Sequence, residues 1–110
     1  MKRILLKLSG EALAGAAKRG FDEETVIAVA KQIRTISEEG TQIGMLATVM
    51  NCIYVSDICR YLGLKTEIFT PFVCGAFTSL YSKDAVEEAF AEGKILFFAG
   101  GTGHPYFSTD

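Results

Sequence analysis

Two stretches of this 110-residue chain carry residue types whose spacing suits phosphate chemistry. The first is Lys7-Leu8-Ser9-Gly10-Glu11-Ala12-Leu13. Side chains alternate along a strand, so Lys7 and Ser9 share a side, one period apart. Gly10 permits close backbone approach, and amides in such a turn can face an anion. A cation, a hydroxyl and backbone N–H groups together suit a phosphate. The plain alternative is a surface lysine snorkelling from a strand end.

The second stretch is Gly100-Gly101-Thr102-Gly103-His104-Pro105-Tyr106-Phe107-Ser108-Thr109-Asp110. Its three glycines allow close approach, Thr102, Ser108 and Thr109 supply hydroxyls, and Tyr106 and Phe107 can wall off a planar ring. It is neither the dinucleotide fingerprint nor a P-loop, since G-x-G-x-x-G and G-K-[ST] are both missing. An ordinary strand-to-helix turn ending in a cap would look the same. His104 is the sole histidine. Without a fixed partner in the sequence it reads as a loop-positioning or ligand-contact residue rather than a general base. Asp57, inside a helical pattern, reads as a structural acceptor or a solvated charge. Met45 and Met50 stand at core spacing and read as packing.

Several elements must position these stretches. Arg3 to Ser9 reads as a strand, with Ile4, Leu6 and Leu8 on one face and Leu5 on the other, as in a sheet covered on both sides. Gly15 to Gly20 has little core-forming content. Asp22 to Glu39 is the clearest helix: Asp22 is a natural N-cap, Glu23 and Glu24 suit the first turn, and Val26, Val29, Ala30, Ile33 and Ile36 form a stripe. Gly40 stops it. Thr41 to Gly44 starts a strand, and the pattern then predicts a helix over Met45 to Leu62, ended by Gly63. Lys65 to Thr70 reads as a strand closed by Pro71. Ser82 caps a short helix carrying Ala85, Val86, Ala89 and Phe90, closed by Gly93. Lys94 to Ala99 reads as a fully buried strand. The expected order β-α-β-α-β-α-β implies an α/β three-layer sandwich with a mainly parallel sheet and right-handed crossovers. In such sheets ligands collect outside the carboxyl ends of the strands, where both stretches fall.

Composition bounds the rest. Apolar residues make up 49% and charged residues 22%, with a formal net charge of −2. This excludes a disordered acidic tail and argues against general nucleic-acid binding, which needs a basic surface. No apolar run approaches the roughly 20 residues of a membrane span. Lys7 and Glu11 interrupt the one segment resembling a signal peptide. Cys52, Cys59 and Cys74 lack C-x-x-C spacing and read as small buried thiols in a reducing cytoplasm, with no metal site. A mean hydropathy of +0.26 is high for so small a chain. It implies apolar surface hidden against a partner subunit or a missing part of the chain.

Three collinear segments carry a resemblance: Lys2 to Leu13, Met45-Leu46-Ala47-Thr48-Val49-Met50-Asn51, and Ala99 to Asp110. Together they resemble the bacterial UMP kinases (uridylate kinases) of the amino acid kinase family, and the last two are specific to UMP kinases. The resemblance implies transfer of the ATP γ-phosphoryl group to UMP, with Mg²⁺, in pyrimidine nucleotide biosynthesis. Lys7, Leu8, Ser9 and Gly10 match the family's phosphate-binding segment, with Lys7 neutralising the transferred group. Thr102, Gly103, His104, Pro105, Tyr106, Phe107, Ser108 and Thr109 match its UMP-binding segment, His104 standing where many members have Asn. Asp110 matches an acidic position near the reacting phosphates. The resemblance further implies a cytoplasmic homohexamer. Gly15 to Phe21 falls where members respond to the activator GTP, although the sequence there diverges.

Departures from the family pattern are equally specific. The family's Gly-Gly-Gly-Asn loop, its ATP-contacting arginine and its UMP-reading aspartate have no counterpart after Ile43-Gly44. The adenine-nucleotide half has none after Asp110. A short strand running straight into a helix near Gly44/Met45, and a final strand without a covering helix, lead to the same expectation of missing sequence at both places. The chain thus reads as one partial domain, residues 1–110, inactive as written. The alternatives are a non-catalytic remnant with at most weak UMP binding, or another amino acid kinase acting on carbamate or acetylglutamate, which the last segment disfavours.

Overall fold

The computed structural model describes residues 2–9, 13, 22–71 and 78–99. Within these residues the elements run in the order β1 (Arg3–Lys7), α1 (Glu23–Glu38), β2 (Gln42–Ala47), α2 (Val49–Tyr61), β3 (Thr66–Thr70), β4 (Ser79–Leu80), α3 (Lys83–Ala91) and β5 (Ile95–Ala99). The strands form one sheet in the order β1-β2-β5-β3-β4, and every described pairing is parallel. Helices α1 and α2 cover one face and α3 the other. The expected three-layer α/β architecture is therefore the one observed.

Local chemistry explains the helix ends. The Asp22 carboxylate accepts from the Thr25 backbone N–H at 3.1 Å and also from the Thr25 hydroxyl, satisfying an orphan donor of α1's first turn. Gly40, at φ +90°, reverses the chain after α1, and its N–H donates to the Ser37 carbonyl at 2.9 Å. In α3 the Ser82 hydroxyl accepts from the Ala85 N–H at 3.1 Å.

The Met45–Leu62 helix expected from the sequence is corrected. Met45, Leu46 and Ala47 are strand residues, and α2 starts only at Val49. Their helical preference is overridden because β2 lies between β1 and β5, with ladders on both edges and apolar layers on both faces. The step without a connecting loop is consequently Ala47–Thr48–Val49, not Gly44–Met45. Strand β4 was not anticipated; two residues are too few for a periodic signal.

The larger core lies under α1 and α2. Ile43, Met45, Ile68, Ile95 and Phe97 face Val26, Ala30, Ile33, Cys52, Val55 and Cys59. On the opposite face Phe69 and Leu96 pack with Val86, Ala89 and Phe90 of α3, and the Phe69 and Phe98 rings stack at 6.0 Å. A buried polar knot ties α2 to β3: the Ser56 and Thr66 hydroxyls are 2.6 Å apart, and Arg60 Nε donates to Thr66 Oγ1 at 2.8 Å.

Strand β1 departs from the doubly covered strand expected. It is an edge strand, with Leu5 63% and Leu6 38% exposed, because β2 borders it on one side only. Arg3 nevertheless anchors it. Its guanidinium makes a two-pronged pair with the Glu87 carboxylate of α3 at 2.9 Å, donates to Gln42 at 2.8 Å and lies 4.2 Å from the centre of the Phe90 ring.

Candidate functional site

The parallel arrangement brings the carboxyl ends of all five strands to one edge of the sheet. Lys7, the last residue of β1, pairs with Leu46 of β2, and Leu46 pairs with Phe98 of β5. At roughly 4.8 Å per strand, the lysine-bearing tip and the end of β5 are about 10 Å apart on the same rim. Ala99, the last described residue of β5, therefore ends on the same rim as the Lys7 tip, with β2 between them. Paired residues share a face, so Lys7 projects from the α3 side of the sheet.

Beyond Lys7 the chain stays locked to β2. The Leu8 N–H donates to the Leu46 carbonyl at 2.8 Å, and the Ser9 carbonyl accepts from the Leu13 N–H at 3.2 Å. Lys7 and Ser9 are exposed and Leu8 is half-buried, so these two polar residues of the first stretch reach solvent at the edge. Gly10, Thr102, Gly103, His104, Pro105, Tyr106, Phe107, Ser108, Thr109 and Asp110 lie outside the described residues, as do Gly15 to Phe21 and Cys74.

One feature of this edge was missed in the sequence. Helix α2 rises directly from β2, between the β1 and β5 tips, and its N-cap Thr48 makes no side-chain capping bond. The first-turn N–H groups of α2 and the positive end of its dipole thus sit at the same rim as Lys7. Thr48 before a helical pattern was the available signal, masked by extending the helix back to Met45.

The other candidates play structural parts. Cys52 and Cys59 are buried, and burial pushes each thiol up to about 12, so neither is a thiolate nucleophile at neutral pH. Met45 is core, but Met50 is 67% exposed rather than packed, because it lies on the side of α2 turned away from the sheet. Among the described residues no group of three or more His, Cys, Asp and Glu could hold a metal ion. No helix among them is long and apolar enough to cross a membrane.

Fold and edge together define a three-layer α/β protein with a lysine tip and a helix N-terminus on the rim where the strands' carboxyl ends meet. Comparison with known proteins then specifies the kind. No family model matches the chain. It is 38% identical to the uridylate kinases of Thermotoga petrophila and Thermotoga maritima over 134 residues, covering 98% of this chain and 58% of each relative. The uridylate kinase of Fervidobacterium nodosum is 37% identical over 135 residues. Among solved structures, UMP kinase from Ureaplasma parvum superposes with a TM-score of 0.86 at 19% identity, covering 98% of this chain and 60% of that one. UMP kinase from Bacillus anthracis gives 0.86 at 20% identity. These structural likenesses establish the fold. The chain is a sequence relative of the bacterial uridylate kinases along nearly its whole length, and it spans 58% of theirs. The matched stretch of 134 residues is longer than the 110 residues of this chain, so the relatives carry an interior segment without counterpart here.

Proposed function

We propose that this chain carries the UMP-binding part of a UMP kinase. The observation behind the reading is its relationship to uridylate kinases over 98% of its length, with Lys7 at the strand rim next to the end of β5. In the complete reaction a UMP phosphate oxygen attacks the γ-phosphorus of ATP. The bond to the β–γ bridging oxygen breaks, and UDP and ADP result. No general base is needed, because the attacking phosphate is already anionic. Positioning and charge neutralisation carry such a transfer.

Lys7, with Leu8, Ser9 and Gly10, would hold the phosphates. Thr102 to Thr109 would hold UMP, and Asp110 would lie near the reacting groups. Mg²⁺ would arrive with the ATP phosphates and supply charge neutralisation there; no step is assigned to it. The kinase assignment extends to a cytoplasmic homo-oligomer, a hexamer by resemblance, and more faintly to GTP activation through Gly15 to Phe21.

A second reading is a non-catalytic chain that binds UMP weakly. The loop-free Ala47–Thr48–Val49 step favours it, since functional α/β sites are built from loops at this rim. An ADP-release assay with UMP and Mg-ATP, run beside calorimetry with UMP alone, separates the two. Binding of UMP without turnover is the expected result. Turnover abolished by Lys7→Ala would overturn the proposed inactivity, and absence of UMP heat would overturn the binding assignment.

A further inference from the structure

Strand β1 has little apolar burial to hold it to the sheet. It borders β2 alone, and of its residues only Ile4 is half-buried, the rest being exposed. Ile4 and, just past the strand, Leu8 pack against the core beneath α1 and α2. On the other face Arg3 reaches across β2 to α3, 84 residues away in sequence. Its guanidinium grips both Glu87 oxygens at 2.9 Å, lies 4.2 Å from the centre of the Phe90 ring and donates to Gln42 at 2.8 Å. An exposed ion pair alone contributes little to stability. This pair is two-pronged, stacked on a ring and shared with an amide, which is the geometry in which such pairs do hold.

The clasp and the rim lie at opposite ends of the same short strand. Arg3 pairs with Gln42 and Lys7 with Leu46, about 13 Å apart along β1. Between them Leu5 and Leu6 are exposed and add little hold. Beyond them the Ser9 carbonyl accepts from the N–H of Leu13, whose side chain is fully buried and pins the chain there. The segment able to lift is therefore Arg3 to Leu8, hinged near Ser9. Segments with so few buried contacts open locally, at a lower cost than global unfolding.

We propose that Arg3 is a positioning residue: its grip on Glu87 and Phe90 latches β1 onto the sheet, and without that grip Arg3 to Leu8 lifts as a unit and takes Lys7 off the rim. The latch follows from the contacts of Arg3; its bearing on a ligand rests on the assignment of Lys7 to the phosphate site.

Amide hydrogen exchange on the 110-residue chain tests the latch with no nucleotide present. The Leu8 N–H, bonded to the Leu46 carbonyl at 2.8 Å, reports the far end of the strand. The Gln42 N–H, bonded to the Lys2 carbonyl at 2.8 Å, reports the clasp end, and the Ile95 N–H, bonded to the Lys65 carbonyl at 2.8 Å, the seam of β3 and β5. Arg3→Ala should speed Leu8 and Gln42 alike, by at least about tenfold, and leave Ile95 within about twofold. Glu87→Ala, on another element, should also speed Leu8, and the double variant should exchange no faster than Arg3→Ala alone. A Leu8 rate unmoved while Gln42 quickens is fraying at one end, and overturns the proposal. So do equal gains at Leu8 and Ile95, or effects of the two substitutions that multiply.

UMP then tests the bearing on a ligand. At ten times its dissociation constant it should slow Leu8 exchange about tenfold in the wild type, since a lifted strand has lost the site. Bound UMP that leaves the Leu8 rate unchanged shows that lifting spares the site, and overturns the positioning role. Absence of UMP heat in calorimetry overturns the phosphate-site assignment instead, while exchange without nucleotide still decides the latch.

Discussion

Lys7 and Phe98 stand in register across the sheet with Leu46 between them, two strands apart yet on one face and one rim. The proposed phosphate site depends on this alignment of a residue near the start of the chain with the end of β5. It follows from parallel pairing: had β1 run antiparallel to β2, Lys7 would lie at the opposite rim.

Replacing Lys7 by Ala should weaken UMP binding by about 10- to 100-fold, the loss of a charge-assisted contact of about 1.5–3 kcal/mol. The urea midpoint should hardly move, because Lys7 is exposed. Calorimetry with UMP beside equilibrium unfolding gives both numbers. Unchanged affinity removes Lys7 from the UMP part of the site.

Gly44 lies in the middle of β2 beneath an aromatic ring. A Cβ there would sit 2.9 Å from Phe98 Cε2 and 3.2 Å from Leu5 Cδ1. Leu5 is exposed and can swing aside, but Phe98 is half-buried and stacked on Phe69. Gly44→Ala should cost about 1–3 kcal/mol by overpacking. Adding Phe98→Leu should recover part of that loss, read as a coupling energy in a double-mutant cycle by urea unfolding.

Thr66 is 5% exposed and its hydroxyl serves both Ser56 and Arg60. Thr66→Val keeps the shape and strips both partners, so stability should fall by about 1–3 kcal/mol. Thr66→Ser should retain most of the wild-type value. Equal losses in the two variants would show that the methyl group, not the hydroxyl, matters at this position.

Acid should loosen the clasp on the α3 face. Glu67 accepts from Lys94 and from Ser79, each at 2.8 Å. Partial burial works to raise its pKa, but the bonds from Lys94 and Ser79 outweigh it and hold the carboxyl below its ordinary 4.5. Arg3 likewise holds Glu87 below the ordinary value. With the folded pKa depressed, the contribution is complete above the unfolded value and lost as pH falls through the folded one. The urea midpoint should therefore drop as pH is lowered from about 6 to about 3.5, and Glu67→Gln should flatten part of that drop. An identical slope in the variant would remove Glu67 from the acid response.

Much of the scaffold was legible where the signal was local. Asp22, Gly40, Ser82 and Gly93 mark helix ends through capping and positive φ, which depend on a few adjacent residues. The buried run Ile95–Ala99 announced a central strand. What escaped depends on distant residues. Met45, Leu46 and Ala47 are strand only because β1 and β5 flank them, and the bare edge of β1 follows from strand order, which no window of sequence contains. At the rim, Lys7 was placed at the strand tip as observed, but the strand stops there and does not reach Ser9, and the α2 N-terminus was hidden by the same Met45–Ala47 error.

The position of β5 sets a schedule for acquiring this shape. It is the last described strand made, yet it sits centrally and joins the β1–β2 ribbon to the β3–β4 ribbon. A growing chain can hold two separate pairs, but it cannot knit them until Ala99 has emerged. Until then the apolar flanks of β2 and β3 stay open to misassociation. Synthesis that pauses before residue 95 is thus the moment at which this protein most needs a chaperone.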